Sequence, residues 1–542
     1  MVAWSCTAVG LAIATLSGVG WAGEAKVKPT KAAPATASSA ATKNAAANTS
    51  DAKADDAENT TDTPNVVQAR DALLAEHAAR LEKLAAWCDE QNLPELANRT
   101  RAWLPKRDPL KLYLFDLPAS RAAEAATMLA DGSQPPAEWL DQFYQLRDAQ
   151  ADALFALAKR AIKESRASLA YELVGEAARE NPDHKQARSL LGYVKFRDAW
   201  QTPFEVKQLS AGKVWHEKFG WLLKSHAERY DAGERFYKGR WLSAADEAKL
   251  RSDMARGWRV ESEHYSVTTN HSLEEGVKLS QRLEKLYRIW QQVFVRYLAS
   301  EADLARRLEG KGTRPRDARQ LNVVYYRTRD EYNRALEPLQ PRIAITLGIY
   351  FDTSQTAYFF AGEAQEPGTL YHEATHQLFQ ETRPVAKEVG RRDNFWIIEA
   401  IACYMESLDE QPGYVTLGGA DAGRVPAARQ RLLVDKYYMP LTELSALGLT
   451  ALQESGELSK LYSQSAGLAL FLMHGREGHH REALMAYLDA VYSGKAKPQT
   501  LAALTAASYA ELDAEYRVFL EGLPDNASDE PQPPTETKKN EE

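Results

Sequence analysis

The sequence predicts an α+β protein, with a mainly helical amino-terminal region followed by a domain that combines a small sheet with helices. Three observations lead there. From Val66 the apolar residues Leu73, Leu74, Ala78, Leu81, Leu84 and Ala85 recur at helical spacing, and the pattern resumes through Trp139, Phe143, Leu146, Leu154 and Leu157. Around Trp258 the rhythm changes to the alternation of RVESEHYSVTT, which marks strands. From Thr369 onward helical periodicity returns.

Taken in order, residues 2–22 carry no charge and end in Gly20, Trp21 and Ala22, the pattern of an export signal with a small-residue cleavage site. If uncleaved, the same run is long enough to tether the chain to a membrane. Residues 23–64 are Ala, Thr, Ser, Lys and Asn with almost no large apolar side chain, so they predict a disordered linker. The helical region spans 65–255. Its later part, ASLAYELVGEAARENPDHKQARSLLGYVKF, predicts two helices broken at Asn181 and Pro182, in a layout similar to a tetratricopeptide pair. One pair is too few for a solenoid, so it reads as a helical layer packed on the next domain.

The second domain spans 256–524, and a disordered polar tail occupies 525–542. Strands are expected at Leu321 to Tyr326 and in a hairpin from Gly348 to Phe360 that turns at Asp352, Thr353 and Ser354. A long helix is expected from Leu273 to Tyr297. Further helices follow over Thr369 to Thr382, Asn394 to Leu408, Leu458 to Met473 and Arg481 to Tyr492.

With 44% apolar residues, 12 Trp and 24 Tyr, the chain has enough material for substantial cores. Its 26% charged residues are ordinary and its net charge of −8 gives no footprint for nucleic acid. Beyond Cys6 in the export segment, only Cys88 and Cys403 remain, so no disulfide framework is expected.

The sharpest signal is YHEATHQLF. His372 and His376 lie four residues apart on a predicted helix and project from one face about a turn apart, as two ligands of one metal ion must. Such a pattern arises by chance about 0.02 times in a sequence of this composition, so it is specific. A catalytic zinc needs a third protein ligand and an open position for water. Glu399 is the candidate on the next helix, FWIIEAIACYMES: it reads either as a solvated helix carboxylate or, since Phe395, Trp396, Ile397, Ile398 and Ile401 make this a largely buried helix on which a carboxylate normally has a charged or metal partner, as the third ligand. Glu373, between the histidines, is placed as general base.

HEATHQLF followed by WIIEAIACYMES resembles the gluzincin group of zinc peptidases, and within it a bacterial family of mostly exported proteins typified by planctomycetes. The resemblance covers roughly Trp258 to Leu523 and implies one zinc ion per chain and hydrolysis of peptide bonds. Two positions depart from the group. Ala400 stands where a glycine often follows the glutamate, which a helix tolerates. Cys403 stands where an aspartate would orient a zinc histidine, and Glu406, on the same face, is a substitute that could equally serve the surface. Cys403 itself reads as a small buried hydrophobe.

Tyr462, in LYSQSAGLALFL, is similar to the tyrosine that gluzincin aminopeptidases use against the oxyanion, and it reads equally as a core aromatic. Thr356 to Phe360 is expected to offer an edge to a peptide substrate. The glutamate of the aminopeptidase signature is poorly echoed by Glu363, which favours an endopeptidase. His479 and His480 read as a solvated loop. The expected partner is therefore a peptide or protein, in the periplasm or outside the cell. Two alternatives stay open: a peptide-binding scaffold with structural zinc, and a zinc hydrolase of cell-envelope amides.

Overall fold

The structure is a computed structural model that describes residues 64–129, 134–311, 319–362 and 367–524. The expected export segment, nearly all of the linker, Glu363 and the polar tail lie outside the described residues. The chain is α+β. Among the described residues no helix is long and apolar enough to cross a membrane.

The amino-terminal region opens on the helix Val66–Glu90, capped by Asn65 and Gln68 in a reciprocal capping box. The helices Ala137–Lys163 and Ala167–Glu180 pack on one another, and nearly every residue of the second is buried. The break at Asn181 and Pro182 is present, but the helix after it, Lys185–Leu190, is only 6 residues long. Strand β1, Lys111–Phe115, also lies in this region.

The rest of the region is less helical than the sequence pattern predicts. Three two-stranded hairpins succeed one another: β2 (Val194–Phe196) with β3 (Ala199–Gln201), β4 (Lys213–His216) with β5 (Gly220–Leu223), and β6 (Glu234–Tyr237) with β7 (Arg240–Ser243). Each begins just after a glycine, Gly192, Gly212 or Gly233, and carries a tryptophan on its second strand, Trp200, Trp221 or Trp241. The third turns through Lys238 and Gly239, both at positive φ, which matches the twist of tightly joined strands. Short helices between and after the hairpins, such as Pro203–Ser210 and Ala244–Arg251, supply the helical periodicity that hides them.

The second domain is built on a five-stranded sheet of order β11-β12-β10-β9-β8. Its strands are β8 (Trp258–Glu261), β9 (Tyr265–Thr269), β10 (Leu321–Tyr326), β11 (Ile349–Phe351) and β12 (Thr356–Phe360). β10 runs parallel to β9 and β12, and β8 and β11 close the edges antiparallel. Parallel neighbours need a crossover, and the helix Leu273–Val293 provides the one between β9 and β10. The two-residue period sorts the faces: Leu321, Val323, Ala357 and Phe359 join the main core, while Tyr326 and Phe360 pack in a smaller cluster with Tyr332 and Ile343.

A second sheet ties the two regions together. β1 pairs antiparallel with β14 (Tyr414–Gly418), register Lys111 to Gly418 through Phe115 to Tyr414, and β14 pairs with β13 (Asp409–Gln411). Leu112 and Leu114 consequently sit in the main core of the second domain. Glu172 also forms an ion pair with Arg481, and the Ser168 amide donates to Glu482 at 2.7 Å. The sequence boundary at 255 is thus crossed by strand pairing, packing and charge.

His474, on the helix Leu458–Gly478, is buried with its Nε2 2.8 Å from the Tyr404 hydroxyl. Burial, helped by the charge of Arg481, pushes its pKa down to about 3. The unfolded chain takes this proton near the ordinary value of about 6.5. Stability from neutral His474 is therefore fully present above that value and lost as pH falls toward 3. Between pH 7 and 5 the loss from this one group is about 2 kcal/mol. Thermal unfolding of His474→Gln against the natural chain over that range should show a shallower loss in the variant; equal slopes would remove His474 from the acid response.

Candidate metal centre

The His-Glu-x-x-His segment lies on the helix Pro367–Glu381, buried without interruption from Leu370 to Phe379. Pro367 opens it at a position where no amide bond is lost. The helix is pinned at its far end: Gln377 donates to the Asn322 carbonyl of β10 at 3.0 Å, and the Tyr297 hydroxyl donates to the Phe379 carbonyl at 2.6 Å. Glu399 lies on the helix Phe395–Met405, every residue of which is buried. That helix starts from Asn394, held in the left-handed region at φ +57°, whose side-chain oxygen accepts from the Tyr487 hydroxyl at 2.6 Å.

These two helices bring His372, His376 and Glu399 together, with all three donor atoms within 4.8 Å of one another. His372 Nε2 is 3.3 Å and His376 Nε2 3.8 Å from the same Glu399 oxygen. A tetrahedral ion with bonds of about 2.0–2.1 Å separates its ligand atoms by about 3.4 Å, so the spacing fits one small divalent cation. The two imidazole rings stand edge to face, with centroids 4.8 Å apart and planes crossing at 78°.

Hydrogen bonding supplies an independent test. His372 Nε2, His376 Nε2 and both oxygens of Glu399 are buried without a hydrogen-bond partner. So are Glu373 Oε1 and the Tyr462 hydroxyl. Buried polar atoms left unpaired cost roughly 1–3 kcal/mol each, more when charged. Those of His372, His376 and Glu399 lie close enough to share one ion, which would satisfy these three groups together.

The electrostatics follow from the same crowding. Burial drives His376 down to about 4, toward the neutral form that binds metals. Burial also acts downward on His372, but its contacts with Cys403, Glu399 and Glu406 outweigh it and raise its pKa well above the usual range. Burial opposes ionisation of Glu399, yet His376 and His372 hold its pKa below the usual value. Glu373 is pushed up to about 8 by burial, reinforced by the charge of Glu399. A dication beside it would favour the carboxylate form.

Glu373 Oε2 accepts from the Tyr350 amide at 3.1 Å, while Oε1 is buried without a partner. Tyr350 belongs to β11, and this corrects the expected substrate edge: Thr356 to Phe360 is an interior strand, flanked by β10 and β11, while β11 is the edge beside Glu373. The alternation of both strands is the same, so only the pairing order separates them. Tyr462 is buried with its hydroxyl beside Glu399, and burial with that negative charge raises its pKa well above the usual range.

Glu406 fills the role left open by Cys403. Its Oε1 stands 2.7 Å from His372 Nδ1, and Arg424 donates to Glu406 through Nε at 3.1 Å. Cys403 is buried, forms no disulfide and makes with His372 and Glu406 a second group whose donor atoms lie close together, one that shares His372 with the first but not His376 or Glu399; Cys88 is also buried and forms no disulfide. His480 is buried, with Nε2 2.8 Å from Glu515, and not part of a solvated loop. Neither His479 nor His480 enters a potential metal group among the described residues. Sequence reasoning missed Arg424 and the Tyr350 amide. The first follows a loop of no fixed period and the second is backbone, so neither leaves a motif.

A cavity of about 1680 Å³ opens between the amino-terminal region and the second domain, and no candidate ligand lines it. The ligands themselves are 0–4% exposed. Compared with family models and with curated proteins, the chain shows no match.

The geometry predicts uptake of one divalent ion per chain. Elemental analysis after metal-replete purification should find it in the natural chain and in Cys403→Ala, and find none in the His372→Ala, His376→Ala double variant. Metal lost from Cys403→Ala would place the thiol in the coordination sphere.

Proposed function

We propose that this chain is an exported zinc-dependent hydrolase, a peptidase of gluzincin type that cleaves within peptide chains. In this reading His372, His376 and Glu399 hold one zinc ion, Glu373 is the general base and Tyr462 assists. The tetratricopeptide-like helix pair forms a layer against the gluzincin-like domain. The observation that carries the proposal is the convergence of unpaired, buried atoms of His372, His376 and Glu399 on one point, with a further unpaired oxygen on Glu373 between the two histidines in sequence.

Zinc, when bound, supplies a Lewis acid that makes a water acidic and polarises a carbonyl. Glu373, with one oxygen fixed by the Tyr350 amide, takes the proton of the attacking water on its other oxygen and delivers it to the leaving amine. A purely structural zinc site requires no such base. The Tyr462 hydroxyl stands beside Glu399, where it can donate to the oxyanion as negative charge develops. β11, next to Glu373, offers the edge along which a peptide would lie.

Deep burial of the ligands favours a second reading, a peptide-binding scaffold with closed, structural zinc. Turnover separates the two. Glu373→Gln should keep its metal and lose about 10² or more in kcat on a peptide library substrate; undiminished turnover discards the mechanism, and no turnover by the natural chain selects the scaffold. Tyr462→Phe should lower kcat by roughly 10² to 10³ with KM and metal content little changed. A near-normal kcat would make Tyr462 a packing residue only.

A further inference from the structure

We propose that Arg424 is a positioning residue of the metal centre, clamping Glu406 onto His372 so that the imidazole keeps its metal-facing orientation. The inference rests on reading His372 as a ligand.

Glu406 cannot hold that orientation alone. It follows the last residue of the Phe395–Met405 helix, where the dipole disfavours a negative charge, and its side chain is 14% exposed, so water competes for it. Arg424 counters both effects. Its Nε lies 3.1 Å from Glu406 Oε2 and its Nη2 3.3 Å from Oε1, a planar fork across both oxygens. With the carboxylate so fixed, Oε1 receives the His372 Nδ1 proton at 2.7 Å, which keeps Nε2 turned toward Glu399 at 3.3 Å. The same guanidinium stands 5.7 Å from the centre of the Tyr462 ring. One side chain thus braces two sides of the centre.

The backbone is shaped to deliver it. Arg424 directly precedes the helix Val425–Leu433 at the end of the loop GGADAG, in which Gly418, Gly419 and Gly423 all have positive φ. At Gly418 a Cβ would meet the Leu110 carbonyl oxygen at 2.5 Å and His474 at 2.8 Å, so the turn admits glycine alone. Lysine cannot reproduce the fork, since an ammonium is a point donor.

The experiment compares Arg424→Met, Arg424→Lys, Glu406→Gln and the Arg424→Met, Glu406→Gln double variant. Zinc affinity is read by chelator competition, and the His372 Nδ1 proton by NMR in both the zinc-free and zinc-loaded full chain. Arg424→Met should weaken zinc binding 10- to 100-fold and lose the slowly exchanging Nδ1 proton, with the unfolding midpoint little moved. Arg424→Lys should recover part of both, and the double variant should bind zinc no worse than Glu406→Gln. Natural affinity and an intact Nδ1 signal in Arg424→Met, or losses that add in the double variant, would overturn the clamp. Should Arg424→Met fail to fold, Arg424→Lys decides: full retention of both readouts overturns it and a partial loss supports it. If the natural chain takes no zinc, the metal reading fails, while the Nδ1 signal of the zinc-free chain still decides the clamp.

Discussion

The second domain is organised around a carboxylate that it buries completely. Glu399 is inaccessible on a helix with no exposed residue, facing two imidazoles and, among the described residues, no Lys or Arg in salt-bridge contact. Such a group is costly unless a positive charge meets it. The histidines offer only one proton's worth of compensation, since His376 is driven toward neutrality by its own burial. The surrounding structure carries that unresolved charge outward in two directions. Through His372 it reaches Glu406 and Arg424, and through the neighbouring Glu373 it reaches the amide of Tyr350 at the edge of the sheet.

This arrangement explains why so much of the chain is committed to holding two short helices. The helix of the histidines is bonded to β10 by Gln377 and to the long helix region by Tyr297. The Glu399 helix leads directly into β13 and β14, and β14 is completed by β1 from the amino-terminal region. Removing that region would therefore strip an outer strand from a sheet that continues the Glu399 helix. The Glu172 to Arg481 ion pair adds a second joint. Each joint matters because a metal site tolerates little displacement: ligand atoms separated by a few tenths of an ångström too much no longer share an ion.

Much of the centre was legible in the sequence because helical geometry is periodic. Two histidines four residues apart must share a face, and a glutamate inside an unbroken apolar helix must find a partner, so His372, His376 and Glu399 could be assembled without coordinates. The strands at Leu321 to Tyr326 and the hairpin from Gly348 stood out by alternation and turn residues. Pairing order did not, because β11 and β12 alternate alike and only tertiary hydrogen bonds make β11 the edge. The three hairpins between Val194 and Ser243 were hidden for a different reason. Strands of three or four residues are too short to show a period, and the helices between them dominate the pattern. The recurrence of glycine and tryptophan at near-equal spacing, Gly192, Gly212, Gly233 and Trp200, Trp221, Trp241, was the available signal.

Glu406 shows where local reasoning ends. Spacing put it on the Glu399 face and allowed either a surface or an orienting role, and the structure's 2.7 Å contact with His372 selects the second. The partner that makes this contact durable comes from a loop whose course depends on three left-handed glycines, a property of backbone shape rather than of side-chain pattern. The relation between burial and access has the same origin. The candidate ligands, exposed by 4% or less, sit apart from the cavity between the two regions. β11 is an edge strand, with one row of backbone hydrogen-bonding groups not used in the sheet, and it borders Glu373 through the Tyr350 amide.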